Sequence, residues 1–365
     1  MAFPFHLRFQ DTGHCQRSGS WWALNANFAS PEMPLTPSNP SREVVFCPDF
    51  LVVGVVKGGT TALYNLLDRH PGIHLPPIKE TNFFSRADMR PADFSREYAL
   101  DVGLDPAKYI RDGMKEVVHI AHVNEPAHYA ALYSKAREGQ VLGEVCPSYA
   151  ICPSAAAAIH AARPGARVFF MLRDPVQRAW SQYIMNLREG KTMEKDFLKE
   201  VRQDAERAKQ GWGVNHQYLA LGRYAEQVGR YLALFPKEQV HVLLHEEFKQ
   251  DPEGTMAGVF RAIGVEVPAE LDVSGKFNEA AVPRNALLNR LLVRSGAISA
   301  VKAMVPRRLR GGFKEMLYSR KGMPVLPPAQ AAELWQIYAG DVDRLSAMLD
   351  RDLRRWWGPQ TVAVQ

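Results

Sequence analysis

Lys57, Gly58, Gly59, Thr60 and Thr61 stand together in the stretch FLVVGVVKGGTTALYNLL, between an apolar run and an amphipathic one. Adjacent glycines let a backbone approach a ligand closely and adopt conformations closed to other residues. With Thr60 or Thr61 opening a helix, the N–H groups of residues 58 to 62, Ala62 included, converge at its N-terminus, which is an anion site. The threonine hydroxyls add donors, and Lys57 adds a full positive charge. The nucleotide-triphosphate loop G-x-x-x-x-G-K-[ST] carries its lysine after the last glycine. Aligned on Gly54 and Gly59, that pattern puts Thr60 in the lysine position. The loop suits a phosphate but not the usual triphosphate. A plain strand-to-helix turn with a solvated lysine is the alternative.

The stretch ARVFFMLRDPVQRAWSQYIMNLRE repeats the design. A buried run leads to Arg173, then Asp174 as N-cap and Pro175 at the first helical position. Arg173 sits at the carboxyl end of a strand, and Ser181 follows one to two helical turns later. A guanidinium offers a rigid fork of donors for phosphate oxygens. Alone, Arg173 could salt-bridge a carboxylate and Ser181 could face solvent. Together with the first loop they predict a ligand carrying two separate phosphate groups.

Elements must place these residues. FLVVGVV, VLGEV, ARVFFML and QVHVLL read as strands, and the longer ones lack polar alternation, as parallel strands covered on both faces do. Helical patterns between them make βαβ units, so the fold class is α/β: a P-loop-type three-layer fold with a central, mostly parallel sheet flanked by helices. Ligands bind beyond the carboxyl ends of such strands. Residues 1–45, ending in PEMPLTPSNPSRE, read as an extended or partly disordered N-terminal arm, and residues 46–365 as a single domain. Near the end, Leu334, Ile337, Tyr338, Val342, Leu345, Leu349 and Leu353 recur at helical spacing and predict a helix or helix pair packed on the sheet.

The 365 residues are 46% hydrophobic and 23% charged, with a formal charge of +6, which suits a sizeable core and an anionic ligand. No zinc-finger spacing, basic helix or aromatic-basic signature points to nucleic acid. The four cysteines, Cys15, Cys47, Cys146 and Cys152, are scattered, lack metal-ligand spacing and read as free thiols. The start has no charged segment followed by an apolar one, and no run is long enough to span a bilayer. These features predict a soluble, cytoplasmic protein.

The two phosphate motifs resemble those of sulfotransferases that use 3′-phosphoadenosine 5′-phosphosulfate (PAPS). KGGTTAL at 57–63 is similar to the family's 5′-phosphosulfate loop, and RDPVQRAWSQY at 173–183 to its 3′-phosphate motif. KETNFF at 79–84, GEVCPSY at 143–149 and FNEAAVPRNALLNRLL at 277–292 extend the resemblance to the carbohydrate branch, related to heparan sulfate sulfotransferases and their bacterial relatives. It runs from about residue 48 to the end of the chain.

The resemblance implies PAPS as co-substrate, adenosine 3′,5′-bisphosphate (PAP) as product and no metal. Lys57, Gly58, Gly59, Thr60, Thr61 and Ala62 would hold the 5′ side, and Arg173 and Ser181 the 3′-phosphate. Lys276 and Arg284 would lie in a late loop closing over the nucleotide. Lys57 would stabilise the leaving phosphate during a loose, in-line transfer. Glu80 stands where this branch carries its catalytic base, although pairing with Lys79 is the alternative, and His122 is the rival base held in reserve. Val145 departs from the branch, which often has a lysine there. Glu144 beside it could orient Lys57 or an acceptor.

The implied acceptor is a hydroxyl or amine of a carbohydrate, glycolipid or secondary metabolite, with residues 81–130, 190–225 and the late basic region building its pocket. Between Arg290 and Lys321 nine Lys or Arg face one acid, Glu315. This stretch either touches an anionic acceptor or surface or is a solvated face. A small-molecule P-loop kinase and a non-catalytic nucleotide- or glycan-binding protein on the same scaffold remain the other readings.

Overall fold

A computed structural model describes residues 45–209, 217–273, 282–283, 318–319 and 324–359, all within one unit, Val44–Gln365. The expected N-terminal arm, Lys276, Arg284 and almost all of the basic 290–321 stretch lie outside the described residues.

Five strands form the central sheet: β1 (Phe50–Gly54), β2 (Ile73–His74), β5 (Val141–Val145), β6 (Arg167–Leu172) and β7 (Val240–Leu244). Their order is β2-β5-β1-β6-β7, and each neighbouring pair is parallel. The four strands read from the sequence are all present, and the α/β class with a parallel central sheet stands. The lack of polar alternation has its expected cause. On β1, Phe50 and Val52 pack with Leu63, Leu67, Phe169 and Phe260 on one face, while Leu51 and Val53 pack with Phe170, Leu172 and Tyr231 on the other. A separate parallel pair joins β3 (Ile78–Glu80) to β4 (Val118–Ile120), in register Ile78↔Val118 and Glu80↔Ile120.

The helices that matter for the site are α1 (Thr60–Asp68), α2 (Pro175–Arg188), α3 (Tyr224–Leu232), α4 (His245–Gln250) and α5 (Pro328–Leu349). α1 follows β1 and α2 follows β6, so both leave the carboxyl edge of the sheet from adjacent central strands. α5 buries Leu334, Trp335, Tyr338, Val342 and Leu345, and a 3-10 turn at Leu353–Arg355 completes the pattern. Ile337 departs from the expectation. It is 43% exposed, and Trp335 takes the inward place.

Candidate active site

The loop after β1 is tight because it touches the neighbouring strand. A Cβ on Gly58 would lie 2.0 Å from the backbone oxygen of Met171 on β6. Gly59 has φ +114°, and a Cβ there would press on His245 Nδ1 at 2.9 Å. Lys57 also takes a left-handed conformation, φ +66°, which is costly for a residue with a side chain. The N–H groups of Gly58 and Ala62 are used inside the turn, bonding to Val55 O at 2.9 Å and Gly59 O at 3.0 Å. Those of Gly59, Thr60 and Thr61 have no backbone partner among the described residues. These three N–H groups at the start of α1 are the ones left for an anion at a helix start, a narrower set than the five expected.

Lys57 is left open in the same way. Its Nζ reaches the Met185 thioether at 3.7 Å, and no carboxylate among the described residues pairs with it. Burial, reinforced by the nearby Arg188 charge, pulls its pKa down to about 8.

The second motif folds as its sequence requires. The Asp174 carboxylate accepts from the N–H groups of Val176 (2.8 Å) and Gln177 (3.0 Å), capping α2 with Pro175 at its first turn. Asp174 is backed from far along the chain. Its own N–H donates to Glu246 Oε1 at 3.0 Å, and Trp357 Nε1 donates to Glu246 Oε2 at 3.0 Å. The Gly358 N–H donates to Asp174 Oδ2 at 3.4 Å. Arg173 is thereby held at the sheet edge, and the Tyr224 hydroxyl donates to its carbonyl at 2.9 Å. The Arg173 guanidinium has no ion-pair partner among the described residues, and burial lowers its pKa.

A cavity of about 430 Å³ lies over this edge. Lys57, Gly59 through Ala62, Glu80, Arg173 and Ser181 all line it. Gly58 does not; it is the contact with β6 that lets the loop form. Glu80 lines the cavity, and the expected pairing alternative is present as well, with Lys79 Nζ 2.6 Å from its Oε1. His122 is not a lining residue. Its Nε2 lies 2.5 Å from Met89 O and its ring packs on Phe94 at 5.0 Å. Among the described residues no group of three or more His, Cys, Asp or Glu is placed to hold a metal ion.

Glu144 does not contact Lys57 or the cavity. It is fully buried and accepts hydrogen bonds from the Thr81 hydroxyl, Tyr129 OH (2.6 Å) and Tyr149 OH (2.8 Å), and burial raises its pKa to about 7. It ties the end of β5 to the residue following Glu80. Val145 is buried in the core with Phe50 and Leu63, so that position does not face the cavity either.

Sequence reasoning missed His119, Tyr98 and His245, which also line the cavity. His245 opens α4 beyond β7, and burial together with Arg173 and Lys249 pushes its pKa down to about 3. None of the three lies in a phosphate motif. Tyr98 and His119 fall within the 81–130 stretch expected to contribute to the acceptor pocket.

Comparison with known proteins decides which family this chain belongs to. The model of the Sulfotransferase family matches residues 48–269. The chain belongs to the sulfotransferase family. Human heparan sulfate glucosamine 3-O-sulfotransferase 6 is 27% identical over 236 residues, 65% of this chain and 57% of that enzyme. This sulfotransferase therefore spans a little over half the length of such curated relatives. A crystal structure of a sulfotransferase from Alicyclobacillus acidocaldarius aligns with TM-score 0.61 and 28% identity, covering 86% of this chain and 99% of that one.

The cytoplasmic expectation does not stand. The membrane-associated sulfotransferase kil1 of Dictyostelium discoideum is 26% identical over 154 residues, 42% of this chain and 26% of that protein. Buried free thiols such as Cys47, Cys146 and Cys152 report on thiol chemistry, not on compartment. No helix among the described residues is long and apolar enough to cross a membrane.

Proposed function

We propose that this sulfotransferase moves the sulfuryl group of PAPS to a hydroxyl or amine of a carbohydrate-like acceptor. One observation carries the reading. A single cavity brings together Lys57 and Arg173, neither with an ion-pair partner among the described residues, three N–H groups at a helix start without backbone partners among those residues, and the carboxylate of Glu80, with the mutually paired Arg188 and Glu189 also on its wall. Two separated anion sites suit a nucleotide with phosphates at both its 3′ and 5′ positions.

In this reading Gly59, Thr60 and Thr61 hold the 5′ side, and Arg173 with Ser181 holds the 3′-phosphate. Lys57 neutralises charge on the leaving phosphate. The acceptor O–H gives its proton to Glu80 as the oxygen bonds to sulfur and the S–O bond to phosphate breaks. Sulfuryl transfer of this loose kind needs positioning and charge stabilisation more than covalent help from the protein. Lys276, Arg284 and the 290–321 stretch keep their proposed parts in nucleotide closure and in contact with an anionic acceptor or surface.

The test is equilibrium binding of PAP beside 5′-AMP and ATP without Mg²⁺, followed by PAPS turnover. PAP binds most tightly, and Arg173→Ala removes its advantage over 5′-AMP. Glu80→Gln keeps PAP affinity and loses about 10² to 10⁴ in turnover. ATP bound as well as PAP would favour a kinase. Tight PAP binding with no transfer to any acceptor would favour a binding protein.

A further inference from the structure

The acceptor end of the cavity carries groups that the two phosphate motifs do not explain. His119 Nε2 stands 3.7 Å from Glu80 Oε1, and its side chain is 68% exposed against 16% for Glu80. Lys79 occupies that same Oε1, while Glu80 Oε2 has no partner among the described residues. Tyr98 lines the cavity too, and its hydroxyl is buried without a hydrogen-bond partner among the described residues. Buried hydroxyls are nearly always satisfied, so an unsatisfied one beside a cavity points to a ligand.

This arrangement is fixed by backbone. β3 and β4 set Glu80 opposite Ile120, the residue after His119. The N–H groups of Ala121 and Val123 donate to Glu80 O and Thr81 O, each at 2.9 Å. Asn82 locks the turn. It holds a left-handed φ of +56°, donates from Nδ2 to Ala121 O at 2.8 Å, and accepts from Ser148 Oγ at 2.7 Å. β4 lies outside the central sheet, and its described place is to run beside Glu80 and bring His119 and Ile120 to the cavity.

We propose that the acceptor is a polyol, gripped through neighbouring oxygens: Glu80 takes the reacting hydroxyl, and His119 and Tyr98 take the oxygens beside it. This deepens the reading of Glu80 given above and rests on it. His119 Nε2 lies 3.7 Å from the Glu80 carboxylate, on the side of the oxygen that Lys79 holds, which brings His119 and the unpartnered Oε2 close enough together to meet neighbouring oxygens of one acceptor. With Nε2 carrying its proton, His119 donates to the neighbouring oxygen, and Tyr98 donates or accepts. A site that pairs with a second hydroxyl discriminates against acceptors lacking it. His119 and Tyr98 are then specificity-determining residues, and simple alcohols are poor acceptors.

The experiment compares trans-cyclohexane-1,2-diol with cyclohexanol as probes of PAP-loaded protein, with dissociation constants read by NMR titration so that no turnover is needed. The wild type binds the diol about tenfold tighter, the worth of one hydrogen bond. His119→Ala brings the ratio close to one, and His119→Gln, which keeps an N–H donor, restores part of it. Tyr98→Phe lowers the ratio with thermal stability unchanged or raised, because it removes only an unpartnered hydroxyl. A wild-type ratio near one, or a ratio untouched in both His119→Ala and Tyr98→Phe, overturns the proposal. Failure of the underlying reading looks different. Glu80→Gln would then keep full turnover, or PAP would not bind, and the diol ratio would still be measured on nucleotide-free protein.

Discussion

In the proposed reading, function and stability pull against each other at a single residue, Lys57. It is placed where burial and Arg188 disfavour its ammonium, and the nearby Glu189 charge offsets them only in part, without an ion pair among the described residues. A bound phosphate would offset them further. Between about 8 and the ordinary lysine value of 10.5, the ligand-free fold holds fewer protons on Lys57 than the unfolded chain does. The stability of the free protein therefore rises with pH across that window. PAP binding there takes up a proton, and PAP affinity falls as pH rises above about 8. Calorimetry at pH 9 in buffers of different ionisation enthalpy reads the uptake directly. Lys57→Met abolishes the uptake, raises the melting temperature and weakens PAP by about 10- to 100-fold.

Glu144 acts at the scale of elements. Its carboxyl gathers Thr81, Tyr129 and Tyr149, joining β5 of the central sheet to the turn that follows β3 and so to the setting of Glu80. Its pKa is raised from 4.5 to about 7, so the fold keeps a proton that the unfolded chain releases. The stabilisation is complete below about 4.5 and is lost as pH rises through about 7. Glu144→Gln flattens that slope in denaturation curves taken from pH 5 to pH 8. Glu144→Leu costs ~1–3 kcal/mol for each buried hydroxyl left without a partner.

The elements also mark how far the sequence could be read. β1, β5, β6 and β7 were legible as apolar runs, and Lys57, Arg173 and Ser181 because each sits within a local phosphate motif. β3 and β4 are three residues each, IKE and VHI, too short to carry a pattern, and their pairing spans the unpatterned residues between them. His119 was hidden for that reason. Glu144 was misplaced for another: sequence neighbourhood suggested the cavity, whereas its burial behind Thr81 is decided by strand pairing.

At the scale of the whole molecule, the cavity sits where α1 and α2 leave adjacent strands of one parallel sheet, the edge at which such folds bind ligands. Its Arg173 end is braced from outside that crossover by Trp357, which is 1% exposed and packs against Tyr224 at 5.8 Å. Trp357→Ala costs ~3–5 kcal/mol through the cavity it leaves. It also weakens PAP more than 5′-AMP, because Arg173 loses its support; thermal melts and the nucleotide pair used above check both. The bracing has a consequence for synthesis. Asp174 and the Gly358 that backs it are 184 residues apart in the chain. A ribosome completes β1, α1 and Lys57 early and Arg173 midway, but the brace for that arginine emerges much later. If the cavity takes the nucleotide as proposed, a growing chain carries half of that site through most of its translation, and two-ended recognition arrives as a late event.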